Sequence, residues 1–170
     1  MSAPAEVDDS LEQTEKALFA DHIELISFGH RYGSPQKNGH FLCLSAQHLT
    51  NPSRDSRDKM DGTMTRLQKE VYGQMDFNEN YQALWEEIVK ALMELPKAET
   101  CNLIIAVGCE EGRHRSVAVV ELLARDLKNY CDSLQITHRD LDRKSRQINK
   151  KKECDRRRQE KRSGWDNEEN

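Results

Sequence analysis

The sequence predicts one α/β domain, a small, mainly parallel β-sheet with helices on its faces and flexible termini. Three observations predict it. The apolar run Leu103 to Val107 is short, β-branched and closed by Gly108, as in a buried strand, and a second run from Val117 through Leu127 is long enough to be a helix. Tyr81, Leu84, Trp85, Ile88, Val89, Leu92 and Leu95 recur at helical spacing between Asp76 and Pro96. Other short strand-like runs alternate with these helices, an order that needs crossover connections and hence parallel strands.

Residues 1–21 are polar and acidic, with a weak helical patch from Leu11 to Ala20, and are expected to form a flexible arm. The domain itself is expected over residues 22–141. His22 to Phe28 alternates and ends at Gly29, giving the first strand, and the turn Gly29-His30-Arg31-Tyr32-Gly33 follows. Phe41 to Ser45 is the second strand. From Gln47 to Thr63 no periodic pattern is present and Asn51-Pro52 signals a turn, so this stretch reads as a long loop of the kind that often carries function. Thr65 to Tyr72 reads as a short helix and Asp76 to Leu95 as a long one. The helix after the central strand is expected to reach about Tyr130, and Leu134 to His138 forms the last strand. Residues 142–170 hold few apolar side chains and read as a basic tail, disordered or a solvated helix.

The net charge of −4 hides an asymmetry. Residues 139–162 carry twelve basic and five acidic residues, a net of +7, against −8 over residues 1–138. An anionic partner for the tail follows, and RNA is the expected one, through Arg143, Lys144, Arg146, Lys150, Lys151, Lys152, Arg156, Arg157 and Arg158. Trp165 alone represents the aromatics after Tyr130, which argues against base-specific reading by the tail. The five cysteines form no Cys-x-x-Cys pair, so neither a disulfide framework nor a zinc site is implied. The acidic start lacks the apolar core of a secretory signal, and no apolar run approaches the ~20 residues of a membrane helix. An intracellular location, cytoplasmic or nuclear, is expected, with no membrane association.

Between the central strand and its helix lies Gly108-Cys109-Glu110-Glu111-Gly112-Arg113-His114-Arg115-Ser116. A strand, a tight turn and a helix N-terminus make an anion site, because first-turn amides lack intrahelical acceptors and the helix dipole is positive there. Gly108 and Gly112 let the backbone curl, while Arg113 and Arg115 add permanent charge. This turn reads as a phosphate cradle. His114 would supply an imidazole donor, Arg115 the charge, Gly112 close backbone approach and Ser116 a hydroxyl. Gly29, His30 and Tyr32 of the first turn, Arg57 of the long loop and His138 at the last strand's end are expected at the same sheet edge.

The spacing Cys109-x-x-Gly112-x-x-Arg115-Ser116 also fits a cysteine-dependent phosphatase, with Cys109 as nucleophile, Arg115 gripping phosphoryl oxygens and Ser116 assisting the thiolate. Asp55, Asp58, Asp61 or Asp76 would be the acid. Glu110 and Glu111 oppose this reading, since carboxylates raise a thiol's pKa and repel a phosphate dianion. Binding is therefore favoured over catalysis. A third class is an adapter for a protein partner, with a vestigial pocket.

The chain resembles the carboxy-terminal domain of the RapZ family of RNase adapter proteins. The resemblance rests on Phe28-Gly29-His30-Arg31-Tyr32-Gly33, on Asn51-Pro52, on Gly62 after Arg57, on Gly108 to Val117 and on His138-Arg139-Asp140-Leu141, and it spans roughly Ile23 to Lys144. It implies a domain that binds small RNA and senses an amino-sugar phosphate, in a pocket like the sugar-phosphate half of phosphofructokinases. The family's amino-terminal P-loop domain has no counterpart here, as Gly-x-x-x-x-Gly-Lys-Ser/Thr is missing, and no cofactor or metal is implied. Glu110-Glu111 stand where bacterial members usually have Thr-Gly, and Ser45 and Gln47 where an Asp-x-Arg pair is common.

Overall fold

A computed structural model of the protein describes residues 19–96 and 101–143. Four strands, β1 (Ala20–Gly29), β2 (His40–Ser45), β3 (Asn102–Cys109) and β4 (Cys131–His138), form one sheet in the order β2-β3-β1-β4, with every pair parallel. The helices are α1 (Arg54–Lys59), α2 (Thr65–Tyr72), α3 (Phe77–Met93) and α4 (Arg115–Asp126), with short 3-10 turns at His30–Tyr32 and Leu127–Asn129. The expected parallel α/β class is the observed one.

Side-chain alternation divides the sheet's faces. Ile23 and Leu25 of β1 join Leu103, Ile105 and Val107 of β3 in the main core, packed on Leu67 and Val71 of α2, Leu84, Ile88 and Leu92 of α3, and Val119 and Leu123 of α4. Each such aliphatic side chain contributes about 1.5–3 kcal/mol on burial, so this face carries most of the folding energy. The opposite face holds a smaller cluster of Ile26, Phe28 and Ala106, flanked by Phe41 and Ile104. The chain between β1 and β2 runs over that second face, where Lys37 pairs with Glu24 and Ser34 Oγ lies 3.5 Å from Cys43 Sγ.

Handedness explains the division. From β1 the chain crosses the sheet towards β2, whereas the connections after β2 and β3 travel the other way. A right-handed crossover sends opposite directions to opposite faces. The chains leaving β1 and β3, neighbours in the sheet, therefore diverge at their carboxyl ends, the point where ligands bind in such folds.

Some boundaries differ from the sequence expectation. β1 starts at Ala20, because Ala20 and His22 already pair with Cys131 and Ser133, so the last residues assigned to the arm belong to the sheet. β4 likewise starts at Cys131. α4 ends at Asp126 and tightens into the 3-10 turn before Tyr130. The larger correction is α1, inside the stretch expected to be loop. Its six residues have no apolar side chain, so no periodicity marks it. Ser53 Oγ caps it by accepting from the Ser56 amide, and the Glu70 carboxylate of α2 accepts from the Ser53 amide. Glu70 is held below the usual carboxylate range by its hydrogen bond with Ser56 and then by that amide.

Candidate functional site

The turn from Glu110 to His114 joins β3 to α4 at the switch point. Its path is fixed by glycines. Gly112 has φ 69°, and a Cβ on Gly29 would lie 2.6 Å from the Glu111 carbonyl carbon, so the end of β1 and the turn touch backbone to backbone. The Arg31 amide donates to the Glu110 carbonyl at 3.2 Å and strengthens this contact. Gly62 docks from the third side: its amide donates to the Arg113 carbonyl at 2.9 Å, and a Cβ there would lie 2.6 Å from Val117 Cβ. His30 stacks edge-on against Phe28 at 5.0 Å and covers Gly108, where any side chain would collide with the imidazole.

Among the described residues, nothing accepts a hydrogen bond from the amides of Glu111 through Ser116. His30 Nε2, Arg57 Nε and Arg113 Nε are buried and likewise have no hydrogen-bond partner there. A buried donor without an acceptor costs about 1–3 kcal/mol, so such a group calls for a specific explanation. The predicted residues Gly29, His30, Arg57, Gly108, Gly112 and Arg113 thus belong to this region, and Tyr32 lies in the 3-10 turn beside it.

Other predicted residues have different placements. Arg115 is 8% exposed, and its Nη1 donates to the carbonyls of Gln47 at 2.6 Å and Leu49 at 2.7 Å, tying the chain after β2 to the start of α4. His114 Nε2 lies 3.1 Å from the Arg57 carbonyl and 3.2 Å from the Met60 carbonyl. Both are acceptors, so this nitrogen carries the proton and is not available to a phosphate. Burial, then the charge of Arg113, lowers the pKa of His114 and favours the neutral ring. His114 is a clamp on the end of α1.

Cys109 Sγ is 3.1 Å from Ser116 Oγ, and both residues are buried, at 4% and 0% exposure. Burial does not favour the phosphatase reading, since the thiol belongs to the core beneath the turn. His138 also turns to the helix-covered face, as Leu134 does two register steps earlier. It bonds Ser27 Oγ at 2.8 Å and Glu121 Oε1 at 2.9 Å and does not reach the turn.

Glu110 and Glu111 lean sideways. Gln47 Nε2 donates to Glu110 Oε2 at 3.4 Å, and Arg31 pairs with Glu111 at 3.4 Å, with side chains 63% and 39% exposed. An ion pair that open to water contributes little stability.

Sequence reasoning passed over Asp140. Its carboxylate is buried, accepts from the Gly29 amide at 2.9 Å and pairs with Arg139 at 2.6 Å, while Arg139 also donates to the Gly33 carbonyl at 2.7 Å. The pair anchors the first glycine turn. An opposite-charge dipeptide directly after a strand was the available signal. Of the basic positions assigned to RNA, Arg143 is described and exposed, and Lys144 to Arg158 lie outside the described residues. Among the described residues, no cluster of three or more His, Cys, Asp or Glu suits a metal, and no helix is long and apolar enough to cross a membrane.

The fold and the turn define a class: a parallel α/β domain with a glycine-shaped strand–turn–helix element at its topological switch point. The chain belongs to the RapZ C-terminal domain family, which matches residues 21–142. It is similar to a nucleotide-binding protein of Pediococcus pentosaceus, with 34% identity over 140 residues, covering 81% of this chain and 46% of the relative. Similar nucleotide-binding proteins occur in Lacticaseibacillus casei, at 32% identity covering 77% and 44%, and in Carboxydothermus hydrogenoformans, at 31% covering 71% and 42%. The chain spans less than half the length of these relatives.

Proposed function

We propose that the turn after β3 binds the phosphate of a small phosphorylated ligand, a sugar phosphate or nucleotide, without catalysis. The observation that carries this reading is the run of amides from Glu111 to Ser116 with no acceptor among the described residues, at the N-terminus of α4. Unpaired N–H groups at a helix start and the helix dipole favour a dianion there, and Arg113 and Arg57 add charge. The relatives' description as nucleotide-binding proteins, and the resemblance to a domain that senses an amino-sugar phosphate, support the same ligand class. A thermal-shift screen of sugar phosphates and nucleotides tests it. A ligand that raises Tm in the wild type and not in Arg113→Ala supports the proposal, and no shift with any phosphorylated compound refutes it.

We further propose that the basic segment after Asp142 associates with RNA, as its net of +7 over residues 139–162 suggests. Lysine and arginine clusters attract phosphates irrespective of sequence, and such binding weakens steeply with salt. Filter retention of RNA at low salt, lost on deleting residues 143–170, is the expected result. Retention unchanged by the deletion counts against it.

A further inference from the structure

β4 is an open edge of the sheet. The Arg139 amide donates to the Ser27 carbonyl at 3.0 Å, so by alternation the odd-numbered residues from Ser133 to Arg139 turn their backbone towards β1. The amides and carbonyls of Leu134 and Ile136 point the other way, where no strand lies among the described residues. Proteins blunt such edges with lysine, proline, bulges or short length. β4 has eight residues and contains no proline, lysine or arginine. Ile136 is 40% exposed, whereas Leu44 of β2, at the opposite edge, is packed into the main core. Beside β4 lies a groove of about 680 Å³, lined by Leu134 and Ile136 and otherwise of mixed charge, Asp132 and Glu121 against Arg125 and Lys128. Neutral polar groups of α2 and the turn before it complete the lining. The charges are ordered along the groove. Glu121 meets His138 at 2.9 Å at one end of β4, and at the other Cys131 Sγ lies 3.6 Å from the Leu127 carbonyl, next to Lys128. α4 therefore runs antiparallel to β4.

We infer that this edge binds a second copy of the chain, β4 against β4 in antiparallel, about a two-fold axis at Gln135. Such a contact is isologous, so it needs a surface complementary to itself. Mixed charge laid out end to end meets that need. The axis brings Asp132, Arg125 and Lys128 of one copy to the partner's Glu121 and the partner's His138. Register follows from the side chains. With the axis at Gln135, Leu134 lies opposite the partner's Ile136, and Asp132 opposite the partner's His138. An axis at Leu134 would set the Asp132 carboxylate against an isoleucine, and one at Ile136 would set Leu134 against an imidazole. In the favoured register Leu134 and the partner's Ile136 exchange both backbone hydrogen bonds, because their free groups point outward. The joined sheet is continuous, and both helix layers lie on one face of it.

Sedimentation equilibrium of the full chain tests this. A monomer–dimer equilibrium is expected, and Ile136→Lys, which puts a charge on the seam, should weaken it by about tenfold or more. Circular dichroism checks that this exposed position leaves the fold intact. Oxidative cross-linking on a Cys43→Ser background gives a second, position-specific reading. Gln135 should face the partner's Gln135 as a non-hydrogen-bonded pair about 4.5 Å apart at Cα, a separation that a disulfide spans. Gln135→Cys should therefore cross-link two copies, while Ser133→Cys, about 14 Å from its own mate, should not. Should Ile136→Lys unfold the chain, the cross-linking pair decides alone. A chain that stays monomeric at every concentration overturns the inference. So does a dimer that a folded Ile136→Lys leaves unchanged, or cross-linking as fast through Ser133→Cys as through Gln135→Cys.

Discussion

Gly29 and Gly112 lie backbone against backbone where the chains leaving β1 and β3 diverge. A Cβ on Gly112 would sit 2.6 Å from the Phe28 carbonyl carbon, and φ 69° places Gly112 in the left-handed region. Gly112→Ala is expected to cost about 2–5 kcal/mol, combining roughly 1–2 for the backbone conformation with 1–3 for overlap. Gly33 is a control with φ 81° and nothing within 4 Å of its would-be Cβ, so Gly33→Ala should cost the backbone part alone, about 1–2 kcal/mol. Urea denaturation of both variants measures the difference, and equal losses would show that the close packing is unimportant.

Arg113 of the turn and Arg115 of α4 should separate in the same assay. Arg115 bridges the Gln47 and Leu49 carbonyls from a buried position, so Arg115→Ala leaves two acceptors unpaired at a cost of about 2–4 kcal/mol without any ligand present. Arg113 Nε has no partner among the described residues, so Arg113→Ala should stay within about 1 kcal/mol of wild type. A large loss in Arg113→Ala would mean that its side chain supports the fold, and would weaken its assignment to the ligand.

The elements of the fold were partly legible, and the legible ones share a cause. β3 and α3 are buried by their own apolar residues, so composition and period announce them. α1 lacks such residues: it is held by Ser53, by Glu70 seventeen residues on from Ser53 and by His114 across the fold, all contacts that the local sequence does not contain. The site divides in the same way. Glycines of the turn are readable because close packing admits no other residue. The directions of His114, Arg115 and His138 are set by partners distant in sequence. For His138 a signal existed, because it shares strand parity with Leu134 and Ile136, and so the helix-covered face rather than the outer one.

Thiol reactivity should follow burial. Cys43 is exposed on the second face of the sheet, while Cys109 and Cys131 are buried and burial raises the Cys131 thiol pKa. Since the thiolate is the reactive form and needs access, brief alkylation of the native protein should label Cys43 and spare Cys109 and Cys131, with labelling of both after denaturation. Mass spectrometry of the digested protein reads this directly. Rapid native labelling of Cys109 would revive the nucleophile reading that its burial argues against.

His114 predicts a pH dependence of stability. Its folded pKa is lowered, first by burial and then by Arg113, with the bonds to Arg57 and Met60 and the charge of Glu111 opposing. The unfolded chain therefore binds the proton more readily than the folded one. Stability from the neutral ring is full above the unfolded value of about 6.5 and declines as pH falls from there through the folded value. His114→Gln keeps an N–H for the two carbonyls and removes the titration. The stability of the wild type should accordingly fall relative to His114→Gln between pH 8 and pH 5, a window chosen to stay above the lowered Glu70 titration. Parallel stability curves for the two proteins across that window would show that the imidazole is not kept neutral by its place under α1.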